Sequence, residues 1–145
     1  MSDFPSGYFF IRNVESNLVL DVRASSTAPG ANVLLYTRTS NPNQLWSYDS
    51  GFLINKNSGL VLEVQGYENG GDITPGTILV QGKRRDQPKS INQLWAYNHM
   101  YLMPYDPKVV ISAEGDNLTA GTLAVVDRAV DFPTNIRQQW AFESP

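Results

Sequence analysis

The chain has no cysteine among its 145 residues. Disulfides are therefore excluded, and so are zinc sites built on thiolates. Histidine is almost as scarce. His99 stands alone, which removes multi-histidine metal centres and the familiar nucleophile–base triads. No apolar run approaches membrane-spanning length, so no membrane insertion is expected. The opening Met1-Ser2-Asp3-Phe4-Pro5 has no basic leader region. A cytoplasmic location is expected on that ground, with secretion by a non-conventional route left open. Charge is sparse, at 17% of residues and a net −3, so the chain carries no basic footprint for nucleic acid. Sustained helical periodicity is missing, and 11 Gly and 9 Pro would interrupt most candidate helices. The 41% apolar content still suits a folded chain, and the length suits one domain.

What is present is a repeat. All three tryptophans stand in one tripeptide context: Gln44-Leu45-Trp46, Gln93-Leu94-Trp95 and Gln138-Gln139-Trp140. The Gln-to-Gln spacings are 49 and 45 residues, which divides the chain into repeats at about 7–49, 50–98 and 99–143 within a single domain over 1–145. A period of this size indicates stacked or closed supersecondary units. Aligning on the tripeptides exposes further parallels. Apolar runs open each repeat at Gly7–Ile11, Gly51–Ile54 and Met100–Met103. Segments rich in β-branched residues follow, Leu18–Val22, Leu60–Val64 and Val109–Ala113, each with a polar residue fourth. Gly-led segments come third, ending near Tyr36, Val80 and Val126. The Trp strands close each repeat, Gln44–Tyr48, Gln93–Tyr97 and Gln138–Phe142. The intervals are rich in Ser, Asn, Gly, Pro and Asp, the residues of turns. Twelve short strands in three sets of four predict an all-β, closed threefold structure.

Three in-phase Gln-x-Trp units, with Leu20-Asp21-Val22 upstream of the first, resemble the ricin-B-type β-trefoil family, the R-type lectins. The resemblance covers about Gly7 to Phe142, and the chain is similar to small fungal fruiting-body members. It implies a β-trefoil fold with pseudo-threefold symmetry. It also implies that the tryptophans are structural, packing in the shared core while the Gln side chain ties down nearby backbone. Residue chemistry agrees, since an indole has a large apolar area to bury and one N–H to satisfy. The function implied is that of a lectin for a neutral glycan, with galactose or N-acetylgalactosamine first and mannose second. No catalysis, cofactor or metal is implied.

In this family a sugar is held by an acid after the second strand's apolar run, an aromatic at the end of the third strand, and an Asn before the Gln-x-Trp Gln. The first repeat has Asp21, Tyr36 and Asn43 at these places, with Gln44 adjoining. Leu34 replaces a common Gln, and Tyr36 a common Trp. Other roles stay open for each: Asp21 as a strand-end acid bonding a local loop, Tyr36 as a rim aromatic, Asn43 as a plain turn residue. The second repeat offers a possible second site in Glu63, Asn92 and Gln93, but Gly82 stands at the aromatic place. The adjacent Lys83-Arg84-Arg85 reads as a solvated basic loop. The third repeat has Ser112, Asp127 and Arg137, and reads as silent.

An enzyme is not expected. Lone His99 sits at a repeat junction, and no pair of acids shows glycosidase spacing. Asn117-Leu118-Thr119 matches a glycosylation acceptor and is read as incidental. The expected partners are glycans or glycoproteins, with a larger protein subunit or a homodimer as further partners. The rival function is a non-sugar interaction module, either an accessory subunit or a protease inhibitor acting through loops such as Gln65–Pro75 or Arg128–Arg137.

Overall fold

The computed structural model describes residues 3–105, 108–131 and 133–145. Twelve strands run in chain order: β1 Phe10–Asn13, β2 Val19–Val22, β3 Val33–Tyr36, β4 Trp46–Asp49, β5 Phe52–Asn55, β6 Val61–Val64, β7 Leu79–Gly82, β8 Trp95–Asn98, β9 Tyr101–Pro104, β10 Val109–Ala113, β11 Thr122–Arg128 and β12 Trp140–Glu143. Short 3-10 turns separate some of them, and no α-helix occurs among the described residues. None of the described helices is long and apolar enough to cross a membrane.

Pairing closes the strands on one another. The last strand of each repeat is antiparallel to the first of the next, as β4–β5, β8–β9 and β12–β1. Within a repeat the Trp backbone N–H bonds the start of the first strand: Trp46 to Phe9 O, Trp95 to Gly51 O and Trp140 to Met100 O, at 2.8–2.9 Å. These contacts link the three strand pairs into a ring of six. The remaining strands form three hairpins, β2–β3, β6–β7 and β10–β11. These hairpins touch one another through Asn32↔Val80, Ile78↔Val125 and the β11–β3 ladder.

The apolar runs supply the core. Phe9, Ile11, Leu20, Val22, Leu35, Trp46, Leu53, Leu62, Trp95, Leu102, Ile111 and Trp140 are all buried in one cluster. Each indole N–H donates to a backbone carbonyl at the corresponding place of its repeat. Trp46 bonds Leu20 O, Trp95 bonds Leu62 O and Trp140 bonds Ile111 O, at 2.9–3.2 Å. The base of the ring holds Tyr48, Tyr97 and Phe142, one from each Trp strand. Phe4 packs on all three and stacks flat on Tyr48 with centroids 4.0 Å apart.

The motif glutamines lie outside the strands assigned to them from sequence. Gln44, Gln93 and Gln138 end 3-10 turns, and the strands begin at the tryptophans. The cause is the preceding chain. In the first repeat Pro42 favours a turn start, and Leu45 N–H closes that turn on Pro42 O. The third repeat differs at the end of its first strand. Asn13 and Asn55 are buried there in the other two repeats and clamp the following turns by their side chains. Pro104 takes that place in the third and has no such group.

Candidate functional site

The second and third strands of a repeat fix where its polar residues point. Asp21 pairs with Leu34 across the β2–β3 ladder, and Val19 pairs with Tyr36. Alternate residues share a face, so Asp21, Leu34 and Tyr36 project to one side. Asn43 arrives there on the 3-10 turn Pro42–Gln44. Together with Arg23, Ala24, Ser25, Thr39 and Asn41, these residues line a cavity of about 330 Å³. Tyr36 leaves its ring free, at 44% exposure. Ala24 and Ser25 lie in left-handed backbone, with φ 56° and 54°. The same turn recurs after β10, at Gly115 and Asp116.

The floor of the cavity is polar and buried. Asn43 Nδ2 donates to Asp21 Oδ1 at 3.2 Å and to Val22 O at 2.9 Å. Gln44 Nε2 donates to Asp21 Oδ2 at 2.8 Å. Burial pushes the Asp21 carboxyl above its ordinary range, and the two amide donors offset part of that rise. Asn43 Oδ1 is buried and has no partner. A buried acceptor without a donor costs roughly 1–3 kcal/mol, which a ligand hydroxyl can recover.

Gln44 does not reach the cavity. It is fully buried, with its amide spent on Asp21, on Thr37 O at 2.8 Å and on Thr39 N–H at 2.7 Å. Its place among the sugar-binding residues is therefore corrected to one that positions Asp21. Gln93 is corrected likewise: it is fully buried and bonds Glu63, Lys83 O and Arg85 N–H. Gln138 makes the same ties to Arg128 O and Val130 N–H.

The second repeat keeps the frame and fills the space. Glu63 pairs with Val80, and Val61 with Gly82, the register of the first repeat. A Cβ on Gly82 would collide with the Glu63 carboxylate, so no stacking ring fits there while the acid holds this position. Arg85, read from sequence as part of a solvated loop, bonds Glu63 Oε1 at 3.1 Å and Asn92 Oδ1 at 2.7 Å. Arg84 is engaged too, pairing with Asp49 and lying over the Phe52 ring. In the third repeat Ser112 stands opposite Val125 and Asp127 opposite Val110. Arg137 there pairs with Glu15 and Asp116. Acid, amide and ring converge only in the first repeat of the three. His99 sits in the turn between β8 and β9, where its carbonyl accepts from Gln139.

The family-model comparison bears on this arrangement. The model for ricin-type β-trefoil lectin domain-like proteins matches residues 3–82. The chain belongs to this family. The match takes in the whole first repeat and stops at Gly82, before Arg85 and the drifted third repeat. Among relatives, Mucoricin of Rhizopus delemar is 42% identical over 52 residues, 34% of this chain. The matched stretch spans about a third of Mucoricin's length. Among solved structures, the mdaA-1 domain is 26% identical with a TM-score of 0.82, over 100% of this chain and 94% of that one. A ricin B-like lectin of Macrolepiota procera, in complex with lactose, is 20% identical with a TM-score of 0.75, over 99% of this chain and 100% of that one. The fold of this ricin-type trefoil is thus shared across its described length.

Several residues that shape the pocket escaped the sequence reading. Asn55 Nδ2 holds Asn43 O at 3.0 Å, and Asn57 Nδ2 holds Ser25 O at 3.0 Å. Gln81 Nε2 holds Ser26 O and Ala28 O. All three come from the second repeat, so one repeat braces the pocket of another. Asn55-Lys56-Asn57-Ser58 carried only a turn signal. A hollow of about 470 Å³ beside Ile73, Pro75 and Val109 is larger than the Asp21 pocket but lined mainly by apolar surface, and its one acid, Asp72, is exposed. Among the described residues, no group of three or more His, Asp or Glu could hold a metal ion.

Proposed function

We propose that this ricin-type trefoil is a lectin whose first-repeat pocket holds one sugar of a neutral glycan, without catalysis. Family membership supports a carbohydrate-binding role. The observation that carries the site is the pair of acceptors beneath Tyr36, the Asp21 carboxylate and the unpartnered Asn43 Oδ1. Adjacent sugar hydroxyls are donors and acceptors at neighbouring carbons, and they match such a pair. The apolar face of a pyranose ring matches the free tyrosine face and Leu34. Galactose or N-acetylgalactosamine ends are the first choice, and mannose the second. The lactose complex of the Macrolepiota procera protein supports the galactose choice, because lactose ends in galactose.

One shallow site gives weak binding, on the order of millimolar, about −4 kcal/mol. Useful avidity then requires clustered glycans or assembly of several chains. A glycan array followed by calorimetric titration tests this reading. Binding to galactose-ended glycans that tolerates a chelator is expected. A full array without a single bound glycan would sink it and leave a non-sugar interaction module.

A further inference from the structure

Thr39, Arg85 and Val130 occupy equivalent positions. Each donates its backbone N–H to Oε1 of its repeat's Gln, at 2.7, 3.0 and 2.9 Å. The frames around them match, but the side chains do not. Thr39 is short and leaves Asn43 Oδ1 without a partner. Arg85 reaches back over the corresponding cradle of the second repeat. Its Nη1 donates to Glu63 Oε1 at 3.1 Å, its Nη2 to Asn92 Oδ1 at 2.7 Å and its Nε to Lys89 O at 2.8 Å. Asn92 Nδ2 meanwhile donates to Val64 O at 2.7 Å, as Asn43 Nδ2 does to Val22 O. The one acceptor left open in the first repeat is therefore the one that Arg85 fills in the second.

The chemistry of the fill is specific. A guanidinium presents neighbouring N–H donors in a rigid planar fork and has no acceptor. Two of its nitrogens span the acid and the amide, as two adjacent hydroxyls of a ligand would. The carboxylate is almost wholly withdrawn from solvent, and the arginine side chain is three-quarters withdrawn. Removing one partner of a pair this sheltered leaves the other charge buried and uncompensated. Gly82 completes the arrangement, since only a residue without Cβ leaves room for the Glu63 carboxylate where it lies.

We propose that the second repeat is a guanidinium-binding cradle and that Arg85 is its built-in ligand. The residue at position 85, rather than the acid or the amide, then closes the repeat to outside ligands. Opened, the cradle takes a guanidinium group. This inference rests on the reading of the first-repeat pocket, so the test involves no sugar. Arg85→Thr copies the residue of the first repeat, and methylguanidinium is the probe, followed by calorimetric titration.

Saturable millimolar binding to Arg85→Thr is expected, at least tenfold weaker in Arg85→Thr/Glu63→Gln and undetectable in the parent protein. Folded Arg85→Thr without saturable binding overturns the proposal, as does equal binding by the parent. The parent protein supplies a second measurement should Arg85→Thr fail to fold. Nitrogen-15 spectra should show hindered rotation of the Arg85 guanidinium and slow Nε–H exchange, against free rotation for exposed Arg23. Free rotation at Arg85 overturns the proposal. A protein that bound no glycan would defeat the lectin reading and leave these outcomes unchanged.

Discussion

Asp21 and Gln44 are joined side chain to side chain at 2.8 Å, with Gln44 buried beneath the acid. The other N–H of the same amide holds Thr37 O, and its oxygen takes the Thr39 N–H. The repeated Gln therefore does two things in the first repeat. It fixes the loop leaving β3, and it aims the carboxylate into the pocket. In the third repeat, where Ser112 replaces the acid, Gln138 keeps only the loop.

Asp21→Asn should cost most of the glycan affinity. A charged acceptor forms hydrogen bonds worth ~1.5–3 kcal/mol, which corresponds to roughly ten- to hundredfold in dissociation constant. The new amide would also set a donor against Asn43 Nδ2. Calorimetry on Asp21→Asn and Glu63→Gln separates the repeats. Loss in Glu63→Gln with none in Asp21→Asn would move the site to the second repeat.

Tyr36→Ala should weaken binding while leaving the fold nearly unchanged. The ring is 44% exposed, and surface substitutions of this kind stay within about 0.5 kcal/mol of the parent. Urea denaturation alongside titration checks both halves. A large stability loss would make Tyr36 a structural cover rather than a stacking face.

Acid should weaken binding at a pH above the range of an ordinary carboxylate. Burial raises the Asp21 value from 3.8, and protonation removes an acceptor from the pocket. The stability term has the opposite sense. Asp21 binds its proton more tightly folded than unfolded, so its contribution is fully present below 3.8 and is lost as the pH rises through the raised folded value. At neutral pH the ionised acid costs stability. Thermal melts across that window should show the parent losing stability relative to Asp21→Asn as the pH rises, over a constant offset from the donor that the new amide sets against its neighbours. A parent that gained on the variant as the pH rose would reverse the sign.

Trp46→Ala should destabilise by ~3–5 kcal/mol, as large aromatic truncations in cores do. The indole is wholly buried, and Leu20 O would lose its donor. Denaturant unfolding measures this directly, and a change near zero would take the indole out of the core.

Asn55→Ala should weaken the first-repeat pocket from the neighbouring repeat. Its Nδ2 holds Asn43 O, and its Oδ1 takes the N–H groups of Asn57 and Ser58. Leaving the buried Asn43 carbonyl unpaired costs about 1–3 kcal/mol. Titration should show lower affinity together with the lower stability. Unchanged affinity would show that the brace is dispensable for recognition.

The fold was legible because three scarce tryptophans recur in phase and because short apolar runs recur in step with them. The matching registers of Asp21, Glu63 and Ser112 bear out the alignment by tripeptide. Strand starts were less legible, since Gln44, Gln93 and Gln138 end short turns closed by local backbone bonds, and the strands begin only at the tryptophans. The pocket's acid, amide and ring are legible through the family resemblance, since local pattern leaves other roles open for each. Their burial is not, nor is the use of Gln44 and Gln93 as hidden supports. Arg85 was the largest miss. Beside Lys83 and Arg84 it has the look of a solvated charge, and only the return of the chain over Glu63 and Asn92 reveals its partners. Asn57 and Gln81 escaped for the same reason, because they act across a repeat boundary.

Each indole N–H bonds the carbonyl directly before the polar position of the second strand: Leu20 before Asp21, Leu62 before Glu63, Ile111 before Ser112. That contact is made to main chain, which every amino acid supplies. Divergence at the neighbouring side chain therefore leaves the indole's bond in place. An acid can lengthen, as in the second copy, or shrink to a hydroxyl, as in the third, without loosening the core. Under this arrangement the three repeats can present different side chains, or none that meets a ligand, on an unchanged architecture.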